Sequence, residues 1–291
     1  MLLSTGERWF NRFNLLLMLL LALAMLLPFL NVIAKSLSSN SMVMAGEVSL
    51  WPKEFNLYAY NLVFKSPMFM RSIQVTVFIT LAGTLLTLFV VITSGYALSK
   101  KRLLARRTIM LYFLFTMFFS AGMIPGFLNI QRLGIYDTLW ALILPGLMNV
   151  YYMLLVKSFF EQLPSELEES ASLDGCHDIQ ILTKIFLPIS KPIVATIGLF
   201  AAVHFWNIYV PAVMYIQSPK LYPLQVLNQM LIFAQSSIDS QHAADQDMHN
   251  MFGSENLKMA VIVVSTMPIV IVYPFLQKYF VKGVTLGAIK S

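Results

Sequence analysis

The chain has 291 residues, of which 58% are hydrophobic and 12% charged, with a mean hydropathy of +0.71. Soluble domains carry about 25% charged residues, so this composition excludes an ordinary soluble domain and indicates a polytopic membrane protein. The net charge of +6 comes without a basic stripe long enough to follow a phosphate backbone; it reads as a topology signal, and no nucleic-acid partner is expected.

The apolar runs predict an all-α protein with six transmembrane helices in a single domain spanning residues 1–291. The first run is Leu15 to Ile33, preceded by Arg8 and Arg12. It is long enough to span, and no small-x-small site follows it, so it is not read as a signal peptide. The second run is Ile73 to Leu98, the third Ile109 to Leu128 and the fourth Thr138 to Phe160. The fifth is Ile193 to Ile216 and the sixth Met259 to Phe280.

Six spans place both termini on one side. The loop Ser99–Thr108, SKKRLLARRT, carries five basic residues. Its side of the chain holds 13 of the 20 lysines and arginines and the opposite side seven. The positive-inside rule makes the richer side cytoplasmic, so a multi-pass protein of the cytoplasmic membrane with both termini inside is expected. Acidic residues divide evenly and do not orient it. Two outer connections are long, Lys35–Arg71 and Gln217–Lys258, and long loops in compact domains are usually functional or disordered. A short amphipathic helix is expected at Leu224–Gln235. The single cysteine, Cys176, rules out an intrachain disulfide.

The inner loop 161–192, EQLPSELEESASLDGCHDIQILTKIFLPISKP, differs from the rest of the chain. Six acidic residues fall within 18 positions, Glu161, Glu166, Glu168, Glu169, Asp174 and Asp178. Ser165 as N-cap and Glu168 three residues on make a capping-box pattern. Gly175 supplies a stop. A second amphipathic stretch follows with Ile179, Leu182, Ile185 and Phe186 on one face, closed by Pro188 and Pro192. Two short helices at the membrane surface, with apolar and acidic faces, form a docking knob for another protein.

The pattern Glu169-Ser170-Ala171, three residues, Gly175, nine residues, then Ile185-Phe186-Leu187-Pro188 resembles the EAA loop of ABC importer permeases. Ser170 departs from the usual alanine, a small-for-small change. Asp174 before Gly175 fits the sugar-importer version. The resemblance extends over nearly the whole chain, including the pair Trp206-Asn207 in the fifth span and the ending QKYFVKGVTLGAIKS. It looks like the smaller permeases of the maltose-type carbohydrate group, and within that group like permeases for aldouronate, rhamnogalacturonan or alginate oligosaccharides.

The resemblance implies a type I ABC importer permease, one of two permease subunits and most simply a heterodimer half. Two separate ATPase subunits would hold ATP and Mg, an external solute-binding protein would deliver an oligosaccharide, and this chain would bind no cofactor. The absence of a GxxxxGK[ST] phosphate loop agrees. On this reading Glu169 contacts the ATPase cleft through a charge-assisted bond, Ala171 allows close approach, and Gly175 forms the bend. Leu187 and Pro188 transmit motion into span five. The tail Gly283–Ser291 either reaches the ATPase pair or is a disordered end. The external loop 217–258 is the candidate dock for the binding protein.

His204 is ionisable and lies inside a predicted span, which makes it a functional candidate. With Trp206, Asn207 and Tyr209 it could face sugar, or these side chains could simply pack the bundle. Asn149, Tyr151 and Tyr152 are similar candidates. No lysine or arginine falls well inside a span, so the charge of an acidic sugar would have to be met by the partner chain, the binding protein or loop residues. His242, Asp245, Asp247 and His249 cluster in the outer loop without a defensible ligand spacing, so no metal site is expected there. The methionines, 18 in number, suit flexible packing between spans. No nucleophile, base and orienting acid form a set, so no catalytic site is expected. An ion-gradient transporter would favour acids within the spans or two repeated halves, and a membrane enzyme would need clustered acids and histidines; neither pattern is visible.

Overall fold

The computed structural model describes residues 5–233 and 254–288. Among these residues every regular element is helical. In chain order, α1 covers Thr5–Ser36, α2 Asn40–Met44, α3 Tyr58–Lys65 and α4 Pro67–Ser99. α5 is Arg106–Phe118, α6 Met123–Arg132 and α7 Trp140–Ile143, which continues through a 3₁₀ turn at Leu144–Gly146. α8 is Val150–Glu161, α9 Ser165–Leu173 and α10 Asp178–Ile181. A π-helical turn, Leu182–Phe186, leads into α11, Leu187–Ile189, and α12, Lys191–Trp206. α13 is Val210–Tyr215, α14 Leu224–Phe233 and α15 Glu255–Ala288, with a 3₁₀ turn at Pro219–Leu221 before α14.

Three helices are long and apolar enough to cross a membrane: Gly6–Ser36 within α1, α4, and the stretch Glu255–Val272 of α15. Three more candidates are bent pairs: α5 with α6 at 115°, Trp140–Gly146 with α8 at 45°, and Asp178–Ile189 with α12 at 85°. By length and composition the described residues therefore hold up to six spans. The first two bends and the end of α12 at Trp206 correct the sequence reading, which took the third, fourth and fifth runs as unbroken; the 85° bend falls at Ser190, before the fifth run, where the loop was expected to close. In the third run α5 ends at Phe118, and Gly122, with φ +88°, is the N-cap from which α6 restarts. Pro145 and Gly146 break the fourth, because proline removes a ladder donor and crowds the preceding turn. In the fifth run α12 stops at Trp206, Asn207 Nδ2 donates to the Val203 carbonyl at 2.9 Å, and Pro211 restarts the chain in the first turn of α13.

The chain divides into two compact units. The first comprises residues 1–70 and 228–268. Within it Ala34, Val43 and Val48 form a small core, and Asn256 Nδ2 donates to the Ser38 carbonyl at 3.3 Å. None of the apolar window of α1 is buried within the chain.

The second unit comprises residues 71–227 and 269–291. Its main core joins Val91, Ile92, Tyr96 and Leu98 of α4 to Met153, Val156 and Phe160 of α8, and to Ala171, Ile181, Leu182, Phe186 and Ile197 farther along. Small residues let the helices of a membrane bundle approach closely. A methyl at Gly83 would lie 2.6 Å from the Phe205 ring, and one at Gly95 would lie 2.9 Å from Val156 Cγ1 and 3.3 Å from the Lys157 backbone nitrogen. α4 is thus pressed against α12 near its middle and against α8 near its end. Gly95→Ala should destabilise the second unit by about 1–3 kcal/mol through overpacking, read as a lower Tm of the purified protein. Gly126→Ala, whose nearest neighbour would be the Tyr215 hydroxyl at 3.6 Å, should leave Tm unchanged or slightly raised.

Candidate functional site

Two features of the second unit stand out: the loop 161–192 and a cavity beside α4. In the loop, α9 begins at Ser165 with Pro164 in the N-cap position and no side-chain cap. The expected capping box is therefore absent. Glu168 reaches across the chain instead, because a stronger partner is at hand. Its Oε2 accepts from Lys100 Nζ at 2.5 Å, and its Oε1 lies 3.5 Å from Arg102. Arg102 also pairs with Asp178, and Arg106 and Lys157 both pair with Glu161. The basic loop predicted as a topology signal is thus also a clamp on the acidic loop.

Lys100 Nζ sits 4.1 Å from the centroids of both the Tyr96 and Phe186 rings. Tyr96, Phe160 and Phe186 meet edge to face, with centroids 5.3 to 6.0 Å apart. The lysine side chain is only 11% exposed and Glu168 24%. An ammonium over two aromatic faces and against a carboxylate is held by cation–π attraction and by a charge-assisted bond.

α9 ends in a Schellman motif: Cys176 N–H donates to the Ala171 carbonyl at 2.9 Å and Gly175 N–H to the Ser172 carbonyl at 3.1 Å. The motif needs a left-handed residue, and Gly175 has φ +79°. Ala171 is buried in the core, whereas Glu169, Ser170 and Asp174 face outward. Ile181, Leu182 and Phe186 are buried, Ile185 and Leu187 half-buried, and Pro188 exposed. Ile179 was expected on the inward face and is 68% exposed. The cause is the π-helical turn, which takes an extra residue and shifts the phase counted on a regular helix. Pro188 lies just beyond that turn and has no N–H to continue the ladder.

The second feature is a cavity of about 140 Å³ lined by Thr87, Gly146, Asn149, Tyr152, His204 and Phe205, with Met148 and Ala201 beside them. It brings His204 of the fifth run together with Asn149 and Tyr152 of the fourth, all candidates in the sequence reading. Asn149 caps α8, its Oδ1 accepting from Tyr152 N–H at 3.2 Å. Tyr152 lies against Phe200 at 6.0 Å, and His204 meets Phe205 edge to face at 5.2 Å. Four other candidates do not line it, Tyr151 among them, which is exposed at the start of α8. Trp206 is buried, Asn207 accepts from Gln225 Nε2 at 3.0 Å, and Tyr209 is half-buried at the start of α13. The sequence reading missed Thr87 and Lys100. Lys100 was legible as a basic residue facing an acidic loop on the same side. His242, Asp245, Asp247 and His249 lie outside the described residues.

A third arrangement fixes the start of the connection that follows α13. Asp137, at φ +56°, accepts from the backbone N–H groups of Gln217 and Ser218, both at 2.9 Å, and from the Ser218 hydroxyl at 2.5 Å. These bonds, the Ser218 hydroxyl foremost, hold its carboxyl below the ordinary 3.8. A lowered carboxylate pKa stabilises the fold above the unfolded value and is lost as pH falls through the folded one.

Two outcomes follow from this geometry. Lys100→Met should speed amide exchange across residues 165–189 by about 5- to 30-fold, the scale of a partly buried ion pair with its cation–π contacts, and exchanging the pair as Lys100→Glu with Glu168→Lys should recover part of the protection. Asp137→Ala should speed exchange at Gln217 and Ser218 by about tenfold at pH 7, and in the wild-type protein the same protection should fade only below pH 3.8.

Residues 3–286 match the family described as "Binding-protein-dependent transport system inner membrane component". The chain is 42% identical over 279 residues to the polygalacturonan/rhamnogalacturonan transport system permease protein YtcP of Bacillus subtilis, covering 94% of this chain and 96% of that one. It is 43% identical over 268 residues to protein LplC of Bacillus subtilis, with coverage of 91% and 90%. A solved structure described as a bacterial ABC transporter involved in the import of the acidic polysaccharide alginate matches 96% of this chain and 99% of its own, with a TM-score of 0.88 and 34% identity. This family leaves the ion-gradient alternative without support. With its apolar helices, the broken spans and the helix–turn–helix loop described above, the chain belongs to the inner-membrane permease components of binding-protein-dependent ABC transport systems.

Proposed function

We propose that this permease passes acidic oligosaccharides, fragments of uronate-containing polysaccharides, across the cytoplasmic membrane. The observation that carries the reading is the loop 161–192. It presents Glu169, Ser170 and Asp174 outward around the Gly175 turn while its apolar side is seated on α4 and α8. An outward acidic face on an anchored knob suits a cleft on a separate ATPase. ATP and Mg then belong to two ATPase subunits, and this chain supplies neither phosphate loop nor cofactor. Closure of the ATPases would shift the knobs, and the spans would follow as rigid bodies from inward-open to outward-open. Ion pairs from Lys100, Arg102 and Arg106 make α4 and its following loop a route for that motion beside Leu187 and Pro188.

The acidic substrate is supported by the relatives named for polygalacturonan/rhamnogalacturonan and for alginate. A second permease, most simply a different chain, completes the pathway, and the unburied apolar face of α1 suits that partner or lipid. An extracytoplasmic binding protein docks on the loop 217–258. Both termini lie in the cytoplasm, on the side of the basic loop 99–108, and residues 1–291 act as one transmembrane domain.

The test is ATPase activity of the assembled complex with its binding protein against a sugar panel. Oligogalacturonates should stimulate hydrolysis severalfold and maltotriose should not; the reverse pattern refutes the acidic reading. In the same assay Gly175→Leu should uncouple uptake from hydrolysis, since φ +79° costs a side-chain-bearing residue about 1–2 kcal/mol. Wild-type uptake by that variant would sink the coupling role.

A further inference from the structure

The sequence offers no lysine or arginine well inside the spans to meet the charge of an acidic sugar, yet the cavity beside α4 is lined by the polar side chains of Thr87, Asn149, Tyr152 and His204. It lies at the break between the two halves of the fourth run, where α8 starts at Val150. A helix N-terminus leaves its first N–H groups without partners inside the helix and carries about half a positive charge. Asn149 Oδ1 already takes the Tyr152 N–H, so Val150 and Tyr151 are the first-turn donors that the cap leaves over. Broken helices in transporters use such ends to hold anionic groups.

A second observation points to a ligand independently. Thr87, on α4, is 1% exposed, lines this cavity, and its hydroxyl has no hydrogen-bond partner. Leaving a buried hydroxyl unpaired is costly, and a ligand oxygen in the cavity would relieve it. Across the cavity His204 Nε2 would lie 3.5 Å from a methyl placed on Gly146, so the imidazole borders the helix break. No carboxylate lines the cavity. With no formal negative charge in the lining, the positive end of α8 beside the cavity favours an anion over a cation. Its volume, about 140 Å³, is well below the roughly 300 Å³ of a drug-sized pocket; it suits one substituent of a sugar ring rather than a disaccharide.

We propose that this cavity is a carboxylate subsite, in which the N-terminus of α8, the Thr87 hydroxyl and His204 receive one uronate carboxylate as the oligosaccharide passes. This rests on the acidic-sugar reading above. It also makes Thr87 a substrate-binding residue.

The test uses the complex purified with its partner subunits. Galacturonate at tens of millimolar should raise its Tm by mass action, whereas galactose in sodium chloride of matching ionic strength should not. Thr87→Val should abolish that galacturonate shift. Its own Tm should equal or exceed that of the wild type, because the unpaired hydroxyl is gone. In proteoliposomes Thr87→Val should lower trigalacturonate uptake about fivefold, and Thr87→Ser, which keeps the hydroxyl, should stay within twofold of wild type. An equal shift from galacturonate in wild type and Thr87→Val, or no shift in either, overturns the subsite even if trigalacturonate is imported. Failure of the wild-type complex to import trigalacturonate counts against the acidic-sugar reading instead, and a surviving galacturonate shift would still support the anion site.

Discussion

The contact between Lys100 and Glu168 ties the loop 161–192 to the long helix α4. It joins the last turns of α4, the basic connection after it and the first helix of the acidic loop at one point. Without it the loop would be tethered by its covalent ends, by the ion pairs of Asp178 and Glu161, and by Ala171, Ile181, Leu182 and Phe186. The aromatic rings of Tyr96 and Phe186 do more than fill space. They shield the ammonium on two sides, so that the ion pair works in a poorly solvated setting where a single charge would be expensive. The same rings pack on Phe160 of α8, so one cluster carries both the electrostatic and the apolar attachment of the loop. The loop is therefore packed on α4 and α8 at once.

A second constraint comes from the membrane. In hydrocarbon every backbone donor and acceptor needs an internal partner, so spans are helical and breaks survive only where protein or a polar cavity covers them. The break at Leu147–Asn149 obeys this rule. Asn149 supplies a cap, Phe205 is fully buried beside it, and Thr87 faces the same space. The break at Ser190 is similar in kind: its backbone N–H donates to the carbonyls of Phe186 and Leu187 at 2.9 and 3.2 Å. Two of the interruptions therefore have different uses, one facing a small polar cavity and the other turning the loop 161–192 into α12. The close approaches at Gly83 and Gly95 hold α4 between them.

Parts of this arrangement were legible in the order of residues. Gly175 was readable as a left-handed stop because only glycine adopts that backbone without cost. The basic loop 99–108 and the acidic loop 161–192 were readable as neighbours in composition, but not as partners. The assignment of Glu168 to a capping box failed because local rules weigh only local partners, and Lys100 lies 68 positions away. The apolar face containing Ile179 was misjudged because period counting assumes a regular helix, and a π-helical turn intervenes. His204, Asn149 and Tyr152 were each notable, but no spacing along the chain could gather them into one cavity.

The sequence by itself determined the membrane class, the all-helical composition, the positions of the apolar runs and the helix–turn–helix loop with its glycine. These follow from hydropathy and from backbone preferences, which act over a few residues. The tertiary structure alone decided where the runs bend, which acid meets Lys100 and which side chains share the cavity with Thr87. Those outcomes depend on contacts between distant segments, where the desolvation of one charge or hydroxyl is set by whatever packs against it.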